Sequence, residues 1–449
     1  MNRTSEAVRE YNLLLEKEPG LLDESRNYLT ERFREVRLVF GGRSLSPYLR
    51  PHFVTRDEWR SITSACEAIW GAVVKVARAA LTDSLMLEQI GLTEGERELV
   101  AIDPGYDYVS VTSRLDSFFT EDSYQFVELN AECPAGIAYQ DVAAEIFLEL
   151  PVMREFRKTF DVVPMFCRQD MLDALLAVYD QVRGRSAKPN IAIVDYRGLP
   201  TQREFELFKE FFEGHGYPTT IADPRDLEMR DGRLCHGDFR IDIVYRRVLT
   251  TELLEKIDEC RALLDAYRSG VVVLVNSFLT KYVHKKMLFG ILTDERHAHY
   301  FSDAERDAIS RHIPWTRRMA DVKTRYRDRD IDLLEFVRSN RKRLVLKPND
   351  DYGGHGIIIG WESDESAWDQ ALETALGGDY LVQERVTTGR EVFPYVNESE
   401  GRVEMREQLL DVDPLLFFGR VKGGFTRLST SSLANVTSGA GMVPTMLID

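Results

Sequence analysis

From Asp57 to about Ala80 the apolar residues Ile62, Cys66, Ile69, Val73 and Val76 fall at steps of four and three, the stripe of a helix with one core-facing side. The segment 1–100 therefore reads as mostly helical, and Thr93-x-x-Glu96 closes it as a capping box. The period then changes. Over Tyr108–Asp116 and Tyr124–Asn130 apolar and polar residues alternate, which predicts two strands, and the polar stretch Ser117–Ser123 can join them as an antiparallel hairpin. Asn190–Asp195 (NIAIVD), an apolar-periodic stretch from Thr201 to Phe212, and Thr219–Asp223 read as strand, helix and strand of a doubly wound unit. Asp231-Gly232 marks a short hairpin, Ile241–Val248 a further strand, and Gly270–Asn276 (GVVVLVN) a buried one. Beyond residue 300 the pattern predicts a separate α+β unit: a helix over 303–313, strands Arg343–Lys347, Gly356–Gly360 and Tyr380–Glu384, and a helix around 365–376.

Composition narrows the classes. The 449 residues suffice for two or three domains, and 44% hydrophobic with 29% charged residues is an ordinary globular balance. Lys plus Arg total 58 against 74 Asp plus Glu, a net charge of −16, which is a poor match for a nucleic-acid backbone or an anionic membrane. The cysteines Cys66, Cys133, Cys167, Cys235 and Cys260 are scattered and form no C-x-x-C pair, so they read as reduced thiols of a cytoplasmic protein. Charges interrupt every candidate signal core at the N-terminus, and no uncharged apolar run approaches the roughly 18 residues of a membrane span.

Side chains two apart on a strand share a face, so Arg114 and Asp116 point one way, as do Glu128 and Asn130, while Leu115, Val127 and Leu129 take the other. Pairing the strands puts an arginine, two carboxylates and an amide on one surface, a hard-oxygen set that suits Mg²⁺ or an ordinary ion pair. Lys347-Pro-Asn-Asp-Asp-Tyr-Gly-Gly-His-Gly356 lies between two strands; it is neither a Walker A loop nor a dinucleotide fingerprint. Such a glycine loop can lie over a polyphosphate with the lysine supplying charge, or be a plain flexible hairpin. Tyr380–Glu384 ends in Gln383-Glu384, a strand end that can offer donors and acceptors to a purine edge, and Glu391 follows seven residues later. Arg246-Arg247 ends a strand where α/β sheets bind ligands, and fits a clamp on a substrate carboxylate or a structural ion pair. His297-Ala-His299 has zinc-like spacing but no acidic or thiolate partner near in sequence, and reads as a surface pair. Cys133 lies near the hairpin but lacks an identifiable histidine base and is not read as a nucleophile. The tail segments Gly423–Arg427 and Asn435–Gly441 fit a loop returning to the site or a surface loop.

In combination the segments resemble the circularly permuted ATP-grasp ligases, as in the synthetase domain of glutathionylspermidine synthase. The order that carries the resemblance is Arg-x-Asp, eleven residues, Glu-x-Asn-Ala, then a downstream lysine before an apolar helix, Lys-Pro with a glycine loop, and the Gln-Glu strand end. It covers about residues 105–445. The resemblance implies an α/β fold: a circularly permuted ATP-grasp core with a doubly wound, pre-ATP-grasp-like domain and a helical N-terminal segment. The expected division is 1–100 helical, 101–160 metal-binding hairpin, 161–276 pre-ATP-grasp-like domain, and 277–449 nucleotide lid and C-terminal core. By the same resemblance Asp116, Glu128 and Asn130 are expected to bind Mg²⁺, two ions in all, and Arg114 to act on the transferring phosphoryl group. Lys286, with Lys285 as runner-up, and Lys347 are expected on the ATP phosphates. Gly353, Gly354 and Gly356 would form the lid, Gln383 and Glu384 would border adenine, and Glu391 the ribose. The implied activity is ATP-dependent joining of a carboxylate to an amine through an acyl phosphate. A small-molecule phosphotransferase and an inactive nucleotide-binding scaffold would share the same nucleotide site.

Overall fold

The computed structural model describes all residues except 1–2, 41, 121–122, 185–187, 352, 433 and 435–438. At its centre is an eight-stranded sheet in the order His52–Thr55, Gly441–Ile448, Arg420–Ser429, Arg402–Phe417, Thr112–Phe119, Tyr124–Asn130, with Arg390–Asn397 added to Arg402–Phe417 and Val162–Pro164 to Gly441–Ile448. The alternating segments do form the hairpin: Arg114 stands opposite Asn130, Leu115 opposite Leu129 and Asp116 opposite Glu128, with a bulge after Asp116. Leu115, Phe126 and Leu129 face a core shared with Ile62, Cys66, Ile69, Val73 and Val76. Those five are the predicted stripe of helix Arg56–Ala80, which starts at a Thr55–Glu58 capping box; the Thr93–Glu96 box also forms. The N-terminal segment contributes more than helices, because His52–Thr55 runs parallel to Gly441–Ile448. Gly423–Arg427, read above as part of a loop, lies inside strand Arg420–Ser429; of the second tail segment, 435–438 fall outside the described residues.

The doubly wound unit is a four-stranded parallel sheet in the order Val273–Val275, Ile243–Arg246, Ile191–Val194, Thr219–Ala222. Strands Ile191–Val194 and Val273–Val275 are buried throughout, as their unbroken apolar runs require, whereas the edge strand Thr219–Ala222 is half-buried at its middle. Asn276, just beyond the last of these strands, joins this sheet to the hairpin. Its side-chain oxygen accepts from the Val111 N–H at 2.7 Å, and its amide donates to the carbonyls of Thr112, Ala131 and Glu132 at 2.8, 3.0 and 2.9 Å. The C-terminal edge of the parallel sheet therefore faces the hairpin.

A third unit has an antiparallel sheet in the order Thr316–Arg318, Tyr380–Glu384, Leu344–Pro348, Ile358–Ile359. Period-two alternation divides strand Leu344–Pro348: Leu344 and Leu346 enter a small core with Trp368, Leu372 and Val382, while Val345 and Lys347 face the opposite side. Gly353, Gly354 and Gly356 all have positive φ, and a Cβ on Gly356 would sit 3.0 Å from the Tyr380 hydroxyl, so this turn needs glycine there. Among the described residues no helix is long and apolar enough to cross a membrane.

Candidate active site

Four adjacent strands of the central sheet present one charged face. Period two puts Arg427 beside Asp411 and Asp413, then Arg114 and Asp116, then Glu128 and Asn130. Arg114 is bidentate to Asp116, at 2.7 and 2.9 Å, and also donates to the Ala135 carbonyl at 2.8 Å. Arg427 contacts Asp411 at 2.7 Å and Asp413 at 2.8 Å, and reaches Asp116 as well. Asn130 bridges the next pair, donating to Asp116 at 3.1 Å and Glu128 at 3.3 Å. Burial raises carboxyl pKa values here and the guanidiniums oppose it. Asp116, with two arginines on it, is held well below the usual range, Asp411 is pushed up to about 7, and Asp413 stands well above its ordinary value. The ligand oxygens of Asp116, Asp411 and Asp413 lie within 4.8 Å of one another, but the Arg427 guanidinium already serves as their cation. The open carboxylate edge is Glu128, with Asn130 and Asp116 behind it.

Opposite this face stand two lysines. The Lys347 ammonium is buried and donates to the Val127 carbonyl at 3.2 Å; burial pulls it down to about 8 against the attraction of Glu128. Lys286 donates to the Asp351 carbonyl at 2.5 Å and stands 3.5 Å from Glu128. Lys285 turns elsewhere, to Glu96 at 2.9 Å and Asp350 at 3.1 Å, in a buried cluster with Lys281. Lys281 and Lys285 are four apart and share a side of the short helix Lys281–His284 and its C-cap, whereas the next residue turns away.

Two cavities meet at Glu128 and Arg427. One lies between the central sheet and the third unit, floored by Val345, Ile359 and Leu409 and edged by Lys347 and the strand end Gln383–Val386. The other lies between the hairpin and the edge of the parallel sheet, where it meets Asn130, Gly353, Asp195 and Arg247. Gln383 lines the first cavity, but its amide donates sideways to Thr316 at 3.1 Å. The Glu384 carboxylate accepts from the Tyr326 hydroxyl at 2.7 Å and from Arg343 at 3.2 Å.

Several expected residues stand apart. Glu391 does not border the first cavity; it ion-pairs with the fully buried Arg50, while its neighbour Arg390 lines that cavity. Arg246 lines neither of these two cavities, because its guanidinium is used by the Asn276 carbonyl at 2.9 Å, Glu132 at 3.0 Å and the Val248 carbonyl at 2.9 Å. His297, read above as half of a surface pair, is instead buried and hydrogen-bonds Gln89 at 2.7 Å, and Cys133, not expected to be a nucleophile, is pushed up to about 12 by burial and stays a thiol. Asp411, Asp413 and Asp195 were not singled out from the sequence. A signal existed for the first two: acids two apart in the apolar run Leu409–Phe417 share a face and must be paired if buried.

The fold defines an ATP-grasp core in which the charged hairpin precedes the two cavity lysines, Lys286 and Lys347, in the chain. The family described as a circularly permuted ATP-grasp matches residues 97–380, and the chain belongs to it. In sequence it is similar to a protein of Frankia casuarinae named “Putative glutamate–cysteine ligase 2-2”, with 24% identity over 375 residues, 76% of this chain; the chain spans only 40% of that relative's length. In structure it is similar to a glutathione synthetase-like effector from Globodera pallida, with a TM-score of 0.59 and 13% identity over 96% of this chain and 98% of that one, a likeness of fold.

Proposed function

We propose that this chain is an ATP-dependent carboxylate–amine ligase that forms an amide and releases ADP and phosphate. The observation that carries the reading is the meeting of two cavities at Glu128 and Arg427, which in this reading take a nucleotide and a second molecule. In this reading the base lies on Val345, Ile359 and Leu409, and the phosphates run toward Lys347, Lys286 and the glycine turn. The substrate carboxylate enters from the other cavity and attacks the γ-phosphorus; ADP leaves and an acyl phosphate remains. The amine then attacks the acyl carbon, phosphate departs, and the nitrogen gives up a proton. Such chemistry asks for positioning and charge neutralisation rather than a protein nucleophile.

The donor set fits Mg²⁺: Asp116, Glu128 and Asn130 offer hard oxygens, and the Asn130 amide lies within hydrogen-bond distance of both carboxylates. These residues would hold the ion, which would supply charge neutralisation at the transferring phosphoryl group. Arg114, fixed by Asp116 and the Ala135 carbonyl, would lie along the same path. Supporting the reading further are membership of the circularly permuted ATP-grasp family and the name of the Frankia casuarinae relative, a putative glutamate–cysteine ligase.

Calorimetry with a non-hydrolysable ATP analogue, with and without Mg²⁺, tests the nucleotide site; tighter binding with Mg²⁺ is expected, and equal affinity counts heavily against the reading. ADP release over paired acids and amines tests the reaction. Turnover that requires both partners is expected, and turnover with the acid alone identifies a phosphotransferase instead.

A further inference from the structure

The second cavity has unlike ends. At the hairpin, Arg114 and Arg427 are taken up by Asp116, Asp411 and Asp413. At the far end the parallel sheet presents Asp195, the residue after strand Ile191–Val194, with Glu252 nearby on helix Thr250–Glu255. Ligands of doubly wound sheets bind at this edge. Arg247 stands beside Asp195 but is committed elsewhere: it donates to the Pro134 carbonyl at 2.7 Å, the Tyr245 hydroxyl at 3.0 Å and Glu204 at 3.3 Å. Glu204 in turn accepts the Gly136 and Ala138 N–H groups at 2.8 and 3.2 Å, so the Arg247–Glu204 pair holds the cavity wall rather than a ligand.

Asp195 itself is 8% exposed and lines the cavity, accepts the Tyr196 N–H at 2.8 Å, and makes no ion pair among the described residues. A carboxylate so buried and without a counter-ion is costly to the fold unless a ligand supplies the charge. We propose that Asp195 receives an ammonium group of a substrate, so that the cavity takes a molecule with that ammonium at the sheet edge and its reacting group at the hairpin. The apolar wall of Leu199, Leu249 and Met442 suits the chain between them. Burial pushes Asp195 up to about 7, with Arg247 pulling it down and Glu252 and Asp223 pushing it further up, and an arriving cation would relieve that. The proposal rests on the ligase reading for the location of the reacting group. The ammonium can belong to an amino-acid-like acid substrate or to the amine substrate.

The test uses the full chain and pairs of probes that differ in the ammonium: L-glutamate against glutarate, L-cysteine against 3-mercaptopropionate, and 1,4-diaminobutane against 1,4-butanediol. Each is titrated by calorimetry with and without Mg²⁺ and a non-hydrolysable ATP analogue. In at least one pair the ammonium-bearing member is expected to bind about tenfold tighter or more. Asp195→Asn, which keeps an acceptor for the Tyr196 N–H, is expected to abolish that preference while nucleotide affinity stays unchanged. No ammonium preference in any pair, or a preference that survives Asp195→Asn, overturns the proposal, and the first outcome is read on wild-type protein alone. Failure of wild-type protein to bind nucleotide overturns the ligase reading instead, because the probes are also titrated without it. In turnover, a rise in KM confined to the acid or to the amine on Asp195→Asn identifies which substrate carries the ammonium.

Discussion

Lys281 and Lys285 sit in a cluster with Glu96, Glu132 and Asp350, at 2.7–3.3 Å, and are almost fully buried. Lys286 and Lys347 are also largely shielded, yet among the described residues each donates to a single backbone carbonyl and they share Glu128 across the cavity, the next acids, Asp116 and Asp411, being already paired with arginines. The first group has acids in number to match its cations; the second has charge left over. Arg246 and Asp195 repeat the contrast, the one saturated by partners and the other without an ion pair among the described residues. Buried charge that the protein has matched is structure, and buried charge left unmatched beside a cavity points to a ligand.

The largest effect expected from breaking this contrast is on the matched side. Lys281→Met removes a fully buried cation that contacts three carboxylates, Glu96, Glu132 and Asp350, and leaves the cluster with excess negative charge, which should destabilise the fold by about 3–5 kcal/mol in chemical denaturation. A midpoint close to that of wild type would show that the cluster is not the structural half of the comparison. On the unmatched side the fold should be indifferent and the chemistry should not. Glu128→Gln keeps shape and hydrogen-bonding size while removing charge where the two cavities meet, and turnover should fall at least about a hundredfold, ~2.7 kcal/mol of transition-state stabilisation. Unchanged ADP release from a folded variant would remove the metal assignment.

The hairpin was legible in advance because two signals coincide there: a period-two pattern, and an Arg-x-Asp…Glu-x-Asn spacing that is charged on one face only. The strand Leu344–Pro348 was legible for the same reason, with Lys347 falling on the cavity side. Asp411 and Asp413 were missed, and Arg427 was read only as the end of a tail segment that could return to the site, because their meeting with Asp116 depends on strand order in the central sheet, which, like the pairing of the N-terminal His52–Thr55 with the C-terminal strand, has no local signature. Glu391 was misplaced because its spacing from Glu384 assumes one path past the nucleotide, whereas it sits at the start of a new strand turned toward Arg50. Arg246 is the last residue of its strand and Arg247 the first beyond it, and of the two Arg247 lines the second cavity while Arg246 turns into the protein toward Glu132.

Lys347→Met sharpens the comparison at smaller scale. Its buried ammonium has one backbone acceptor, so an apolar chain of similar length should leave the midpoint equal or slightly higher, while affinity for the ATP analogue falls about tenfold or more, roughly 1.4 kcal/mol. Early melting with normal nucleotide binding would move Lys347 to the structural side.

An effect of similar size is expected at Asp195, where its magnitude depends on pH. Its pKa is raised from 3.8 to about 7, chiefly by burial, with Arg247 opposing and Glu252 and Asp223 adding to the rise. A raised folded value means that the folded protein holds a proton which the unfolded chain has lost, so the stability it contributes is present below about pH 4 and disappears as pH rises through 7. Asp195→Asn removes the penalty of burying the charge. The variant should match wild type at pH 4 and be more stable by about 1–2 kcal/mol at pH 8, read as the difference in denaturation midpoints at the two pH values. A carboxylate that served the fold would give the opposite sign at pH 8. Adding the preferred ammonium-bearing probe at pH 8 should then raise the wild-type midpoint and leave the variant's where it was, since only the wild type has a charge for the ligand to match.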